Sequence, residues 1–240
     1  MVANHSHSVS AAVCALGLSV LGCGTSIVPG ATITTTTRDV SAFRRISIGS
    51  AFVAHATTGP RSLTIRTSDN VQDLVLATVS GDTLTVQLKP MTTLLGNATL
   101  EATITNDVIE GVEGSGAAVV TATATPATGF AVTSSGASKV SVDGVSSSTL
   151  TVEASGGATA TVSGAATDGT ATASGSSTVD VKGVPLATLK ADASGASTIK
   201  ARVSATLSGS ASGASQIVVT GSPANTVQTS GASSVQLNAP

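Results

Sequence analysis

The sequence predicts an all-β chain wound as a parallel β-solenoid, with one coil for every 18 to 20 residues. Three observations carry that prediction. A Ser-Gly-small-small-x-aliphatic pattern recurs seven times at near-constant spacing. Apolar and polar residues alternate with period two on both sides of each recurrence. The composition also lacks the large side chains on which an ordinary globular core depends.

The pattern places glycines at Gly116, Gly136, Gly156, Gly175, Gly195, Gly213 and Gly231, at intervals of 20, 20, 19, 20, 18 and 18 residues. Upstream, alternate positions hold Phe130/Val132/Ser134, Leu150/Val152/Ala154, Leu189/Ala191/Ala193 and Leu207/Gly209/Ala211. Downstream come Val140/Val142, Ala160/Val162, Val179/Val181, Ile199/Ala201 and Ile217/Val219, with polar residues between them. Period two on both sides of a glycine reads as strand, corner, strand. The glycine supplies the positive φ that a tight corner needs. The Ser before it is expected to stack coil over coil and to satisfy backbone groups with its hydroxyl. A flexible Gly/Ser linker shares the composition but keeps no aliphatic alternation. Strands in register on successive coils would pair parallel, and seven coils would make a rod about 30 Å long.

Only 10% of the 240 residues are charged, against roughly 25% in an ordinary domain. Phe43, Phe52 and Phe130 are the only aromatic residues. Disordered chains are usually charged and poor in β-branched residues, whereas this one is dense in Val and Thr. The net charge of −2 implies no partner, and Arg44-Arg45 is the only adjacent basic pair. With no basic stripe to neutralise phosphates, nucleic-acid binding is not expected.

Along the chain, residues 1–22 read as a lipoprotein signal peptide. Its apolar stretch, Ala11 to Gly22, is too short to cross a bilayer but suits a signal core. Val20-Leu21-Gly22-Cys23 resembles the bacterial lipobox, which makes Cys23 the expected lipidation site and the membrane a partner through that anchor. The first ten residues lack Lys and Arg, and a buried Cys in an apolar strand is the structural alternative for Cys23. Cys14 would leave with the leader, so no disulfide is expected. Gly24, in place of an Asp resembling the inner-membrane retention signal, points to the outer membrane. Residues 23–40 read as a flexible tether and 41–240 as the solenoid head: irregular N-terminal coils over 41–110, then the Ser-Gly-Ala-Ser repeats over 111–240. The N-terminal coils hold most of the charge and the bulkier apolar residues, as a capping end does. The other end has no evident cap. An open last coil presents an unpaired strand edge, so end-to-end self-association is expected.

Polysaccharide-cleaving enzymes on such folds use clustered carboxylates, basic residues and aromatic sugar platforms. Here the ionisable residues beyond 110 are scattered, and Asp180 with Lys182 reads as a solvated surface pair. His55 is the only His beyond the leader, which leaves no material for a His-rich metal site or a Ser-His-Asp triad. No catalytic residue, metal or cofactor is expected. Thr-x-Thr pairs at Thr121/Thr123/Thr125, Thr149/Thr151, Thr159/Thr161 and Thr170/Thr172 raise a second possibility, an ice- or surface-binding face. Thr also suits any exposed strand.

The frame Phe43, Ile46, Gly49, Val53, Leu63-x-Ile65, Asn70, Leu74 and Gly81-Asp82-x-Leu84-x-Val86, followed by the Ser-Gly-Ala-Ser coils, resembles the putative auto-transporter adhesin head GIN domain family, formerly a domain of unknown function. The resemblance runs from about residue 43 to 237. It implies a right-handed parallel β-helix on a secreted or lipid-anchored bacterial protein, and it brings no catalytic residues. No Gly-Ile-Asn tripeptide occurs; Ser-Gly-Ala-Ser stands in its place. The expected function is a non-enzymatic cell-envelope lipoprotein, an adhesin-like or structural module holding a glycan or surface protein by repeated weak contacts. The alternatives are a β-helix enzyme acting on polysaccharide and an ice- or surface-binding solenoid. No residue is singled out as a ligand contact.

Overall fold

A computed structural model describes residues 25–239. The expected leader, and Cys23 with it, lie outside the described residues.

From the repeats, the alternation builds strands that run almost a whole coil: Lys139–Ala154, Thr159–Ala173, Thr178–Ala193 and Thr198–Ala211. Each pairs parallel with the next, and on both sides of the glycine corners residues one period apart lie directly over one another; the register shifts only in the middle of each strand, after Val142, Thr161, Val181 and Leu186. The inward positions form continuous columns. One column runs Ile46, Val112, Val132, Val152, Ala171, Ala191, Gly209 and narrows along the rod. Another runs Ala54, Val120, Val140, Ala160, Val179, Ile199, Ile217 and widens. Both columns feed one buried cluster, so the trade keeps a narrow interior filled without large side chains.

The N-terminal end is built differently. Arg45–Ile48 and Val53–Thr58 form a coil that lies between two others. On one side are Gly111–Gly114 and Val119–Thr123; on the other are Thr83–Leu88 and Leu100–Asn106, all parallel to it. The chain therefore passes beneath its first coil before climbing. At this end the pairing also turns antiparallel. Ser62–Ser68 joins Leu100–Asn106 to Ile33–Arg38, and Val75–Ser80 returns on Thr83–Leu88 through Gly81. These strands close the end of the rod over its largest buried side chains, among them Phe52, Ile46, Ile48, Leu63 and Leu84.

The tether expected over 23–40 is corrected here. Thr25–Ile27 pairs parallel with Thr92–Leu94, and Ile33–Arg38 is a strand of the lid. A Thr-rich run reads as a linker by polarity, but Thr is also a strand former whose exposed face needs no apolar residue. At the far end, Ser234–Asn238 pairs with Gln216–Thr220 on one side and with no strand on the other among the described residues.

Candidate functional site

The seven corner glycines have φ between +67° and +74°, the left-handed region where a Cβ is costly. They also stack: a Cβ added at any of them would sit 2.6–2.9 Å from the carbonyl oxygen of the corner beneath. That oxygen accepts the N–H of the residue after the glycine above, at 2.6–2.8 Å. The lowest step of this ladder is Ser50, an eighth corner at φ +61°. Sequence reasoning missed it because Gly49-Ser50 reverses the motif's order. The signal available was the small Ala51 and the period-two Phe52-x-Ala54 that follow, although Phe52 stands where the other corners hold a second small residue. Ser50 Oγ accepts the Leu88 N–H at 3.1 Å, which gives a side chain a reason to be there.

The backbone role expected of the first Ser falls to the second. Ser138, Ser177, Ser197, Ser215 and Ser233 donate their hydroxyls to Gly114, Ala154, Ala173, Ala193 and Ala211 carbonyls at 2.9–3.2 Å, each one coil below. Each of those carbonyls also accepts the first Ser's N–H. The second Ser is the inward one, buried in the first four of these corners, and a buried hydroxyl must find a partner. These corners are structural and bring no reactive group together.

Several charged side chains are engaged by near neighbours. Arg44 grips Glu110 through two guanidinium nitrogens, which holds the Glu110 carboxyl below its usual range and raises the Arg44 guanidinium. Arg66 pairs with Glu101 at 2.9 Å, and Asp180 meets Lys182 at 3.5 Å as a surface pair. Asp143, Asp168 and Asp192 each accept a hydroxyl from the coil above, from Ser163, Thr188 and Ser210 at 2.6–2.8 Å. His55 Nδ1 lies 2.6 Å from Thr121 Oγ1 on an exposed face. Among the described residues no three His, Cys, Asp or Glu side chains gather as a metal site would require.

The Thr-x-Thr pairs do not assemble into one ladder. Thr151 stacks on Ala131 and under Thr170, whereas Thr161 lies between Ser141 and Asp180 on a different column. Thr149 has Gly129 below and Asp168 above.

A second corner, away from the glycines, carries an extended concave surface. Residues 126–128, 146–148 and 165–167 line a trough of about 640 Å³. Ala166 and Thr167 continue into a second trough of about 530 Å³ over 185–187, 202–204 and 220–222. The same three-residue step therefore recurs on six successive coils. The floor is formed by buried Ala166, Leu186 and Val203, and the rim by exposed Thr128, Ser148, Thr167 and Ser204. Arg202 is the only charged residue in the lining. Ser147, stacked between Ala127 and Ala166 beneath the rim, has a buried Oγ with no hydrogen-bond partner. Sequence reasoning did not find this trough, because its positions have no motif and become neighbours only through stacking.

The fold matches solved structures along nearly their whole length. The chain is similar to a putative adhesin from Bacteroides fragilis NCTC 9343, with a TM-score of 0.77 at 18% identity over 88% of this chain and 99% of that one. A putative adhesin from Parabacteroides merdae ATCC 43184 gives 0.68 at 14% over 89% and 99%. A protein described as a putative lipid binding protein, from Parabacteroides distasonis ATCC 8503, gives 0.68 at 13% over 89% and 99%. At these identities the likeness is one of fold. No curated protein matches the sequence significantly. Among the described residues no helix is long and apolar enough to cross a membrane. The sequence profile of one family matches residues 42–223, from the first coil through all but the last, and the chain belongs to that family, described as putative auto-transporter adhesin, head GIN domain.

Proposed function

We propose that the chain is a non-enzymatic lipoprotein of the bacterial cell envelope, anchored through Cys23 in the outer membrane, whose head holds an extended surface glycan along the second-corner trough. The observation that carries this reading is the recurrence of one three-residue step on six stacked coils, with a small hydroxyl at the rim of all but the Ala187 coil and an apolar floor at Ala127, Ala166, Leu186 and Val203. A polymer laid along the rod meets a similar weak site at successive steps, and such sites reinforce one another once the first is engaged. The adhesin family supports a surface-exposed, adhesive role over a catalytic one. The lipobox-like Val20-Leu21-Gly22-Cys23 supports the anchor.

Glycan and matrix-protein arrays probed with the wild-type chain and a Thr167→Arg variant test the trough. Thr167 is exposed and lines both halves, so a long side chain there interrupts the path without touching the core. The expected result is a glycan signal that falls at least tenfold in the variant. A signal on matrix proteins alone, an unaffected variant, or release of cleaved sugar from the array would each overturn the reading. The anchor is tested separately by cell fractionation of Cys23→Ser. The substituted chain is expected to leave the membrane fraction, and wild-type retention there would remove the anchor.

A further inference from the structure

The last coil ends in Ser234–Asn238, whose outer edge is unpaired among the described residues. The Ser234 N–H donates to the Ser215 carbonyl, and the Asn238 carbonyl accepts the Gly221 N–H. Ser234, Gln236 and Asn238 thus turn their backbone groups back toward the preceding coil. By the alternation of a strand, Val235 and Leu237 turn both N–H and C=O outward. Their side chains lie over Ile217 and Val219, the inward columns, so the outward backbone groups flank the open end of the core. Leu237 is 44% exposed.

Natural edges are normally blunted by charge, proline or a covering segment. From Val203 to Pro240 the chain holds no Asp, Glu, Lys, Arg or His. At the opposite end antiparallel strands cover the core, and the outermost of them, Ile33–Arg38, carries Arg38 and no continuous apolar face, so the core is open at one end only.

We infer that this edge is the site of a two-fold, end-to-end dimer in which Ser234–Asn238 pairs antiparallel with its own copy about Gln236. The strand is self-complementary in that register. Val235 stands opposite Leu237 of the second copy, and each pair exchanges two backbone hydrogen bonds through the groups that are free. The apolar side chains stay on the core face, which continues from one rod into the other. The two Gln236 amides meet on the axis, and an amide carries both donor and acceptor. A register shifted by one residue would put apolar side chains opposite polar ones on the wrong face. Because the contact is isologous, it closes at two copies rather than growing into a fibre.

Light scattering of the chain at micromolar concentration, together with cysteine cross-linking, tests the dimer. In a background with Cys14 and Cys23 changed to Ser, Gln236→Cys is expected to give a disulfide dimer. Its two Cα atoms would lie about 4.5 Å apart across the axis, within the span of a disulfide. Ser234→Cys would place its sulfurs about 14 Å from each other and is expected to stay uncross-linked. Gln236→Lys, which changes only an exposed side chain and brings like charges together on the axis, is expected to yield a monomer with unchanged circular dichroism. A wild-type monomer, which would leave the edge to a foreign strand or to further chain, overturns the inference. So does equal cross-linking at 234 and 236, or an assembly that Gln236→Lys does not disturb.

Discussion

At Gly156 the backbone has φ +74°, and a Cβ would lie 2.8 Å from the Gly136 carbonyl oxygen; at Gly157, next in the chain, the nearest such contact is an ordinary 3.7 Å. The two glycines should therefore respond oppositely to alanine. Gly156→Ala must adopt a left-handed conformation and push against backbone, and is expected to lower stability by about 2 kcal/mol or more. Gly157→Ala only restricts the unfolded chain, and is expected to raise stability by about 0.4–1 kcal/mol. Denaturant unfolding of the two variants separates them, and equal effects would remove the stacking explanation. A similar contrast holds for two serines. Ser177 Oγ donates to the Ala154 carbonyl at 2.9 Å, so Ser177→Ala should cost about 1 kcal/mol. Ser147 Oγ is buried and unpaired, so Ser147→Ala should raise stability by about 1 kcal/mol; a loss in the same assay would show that the hydroxyl is satisfied. The corner glycines were legible in the sequence because both of their constraints, positive φ and close stacking, select the same residue. The roles of the two serines were not. They flank one glycine, and only the stacked corner reveals which of them turns inward.

Between elements, the Arg44–Glu110 pair fastens the segment before the first coil to the segment that starts the climb, and the Glu110 N–H also donates to the Arg44 carbonyl at 2.8 Å. The folded-state pKa of Glu110 lies below its ordinary 4.5, chiefly because the Arg44 guanidinium hydrogen-bonds the ionised carboxylate. The native state thus favours the deprotonated form. The pair's contribution is complete above the unfolded pKa and is lost as pH falls through the lower, folded one. Thermal unfolding followed from neutral pH into the acid range is expected to show a small extra loss in the wild type that Glu110→Gln lacks. It is small because the pair is solvent-facing. A variant with the same acid slope as the wild type would remove the pair as its source. The strands of this end were partly legible: Ile46, Leu63-x-Ile65 and Leu84-x-Val86 all lie in strands, with Phe43 just before the first. Their direction was not, because period two is the same for parallel and antiparallel pairing, and the lid strand Ile33–Arg38 was hidden in a run of threonines.

For the molecule as a whole, each coil of the repeat region contacts its neighbours above and below, so stability is close to a sum over coils. Excision of residues 156–174, one period, joins Ser155 to Gly175 and restores the motif. The shortened chain is expected to keep its β circular dichroism and to melt cooperatively at a lower temperature. Deletion of 83–106 is expected to abolish folding, since those strands carry the lid on one side and the first coil on the other. A folded product of the second deletion would separate the repeats from their cap. The overall coil was legible because a single unit is repeated; the trough at the second corner was not, since its lining shares position rather than identity.

The first coil, 45–58, rests on strands that the ribosome delivers later, up to Asn106. Until then Val53–Thr58 has no partner on either side, and closing that unit means bringing together Arg45 with Thr83 and Val53 with Glu101, contacts distant in sequence and therefore slow to form. Every later coil emerges onto a finished template and needs only a local addition. Assembly is thus a lag followed by rapid zippering in one direction: a nascent chain halted before residue 106 exposes sticky, unsatisfied strands, whereas one halted at any later corner is already a shorter rod.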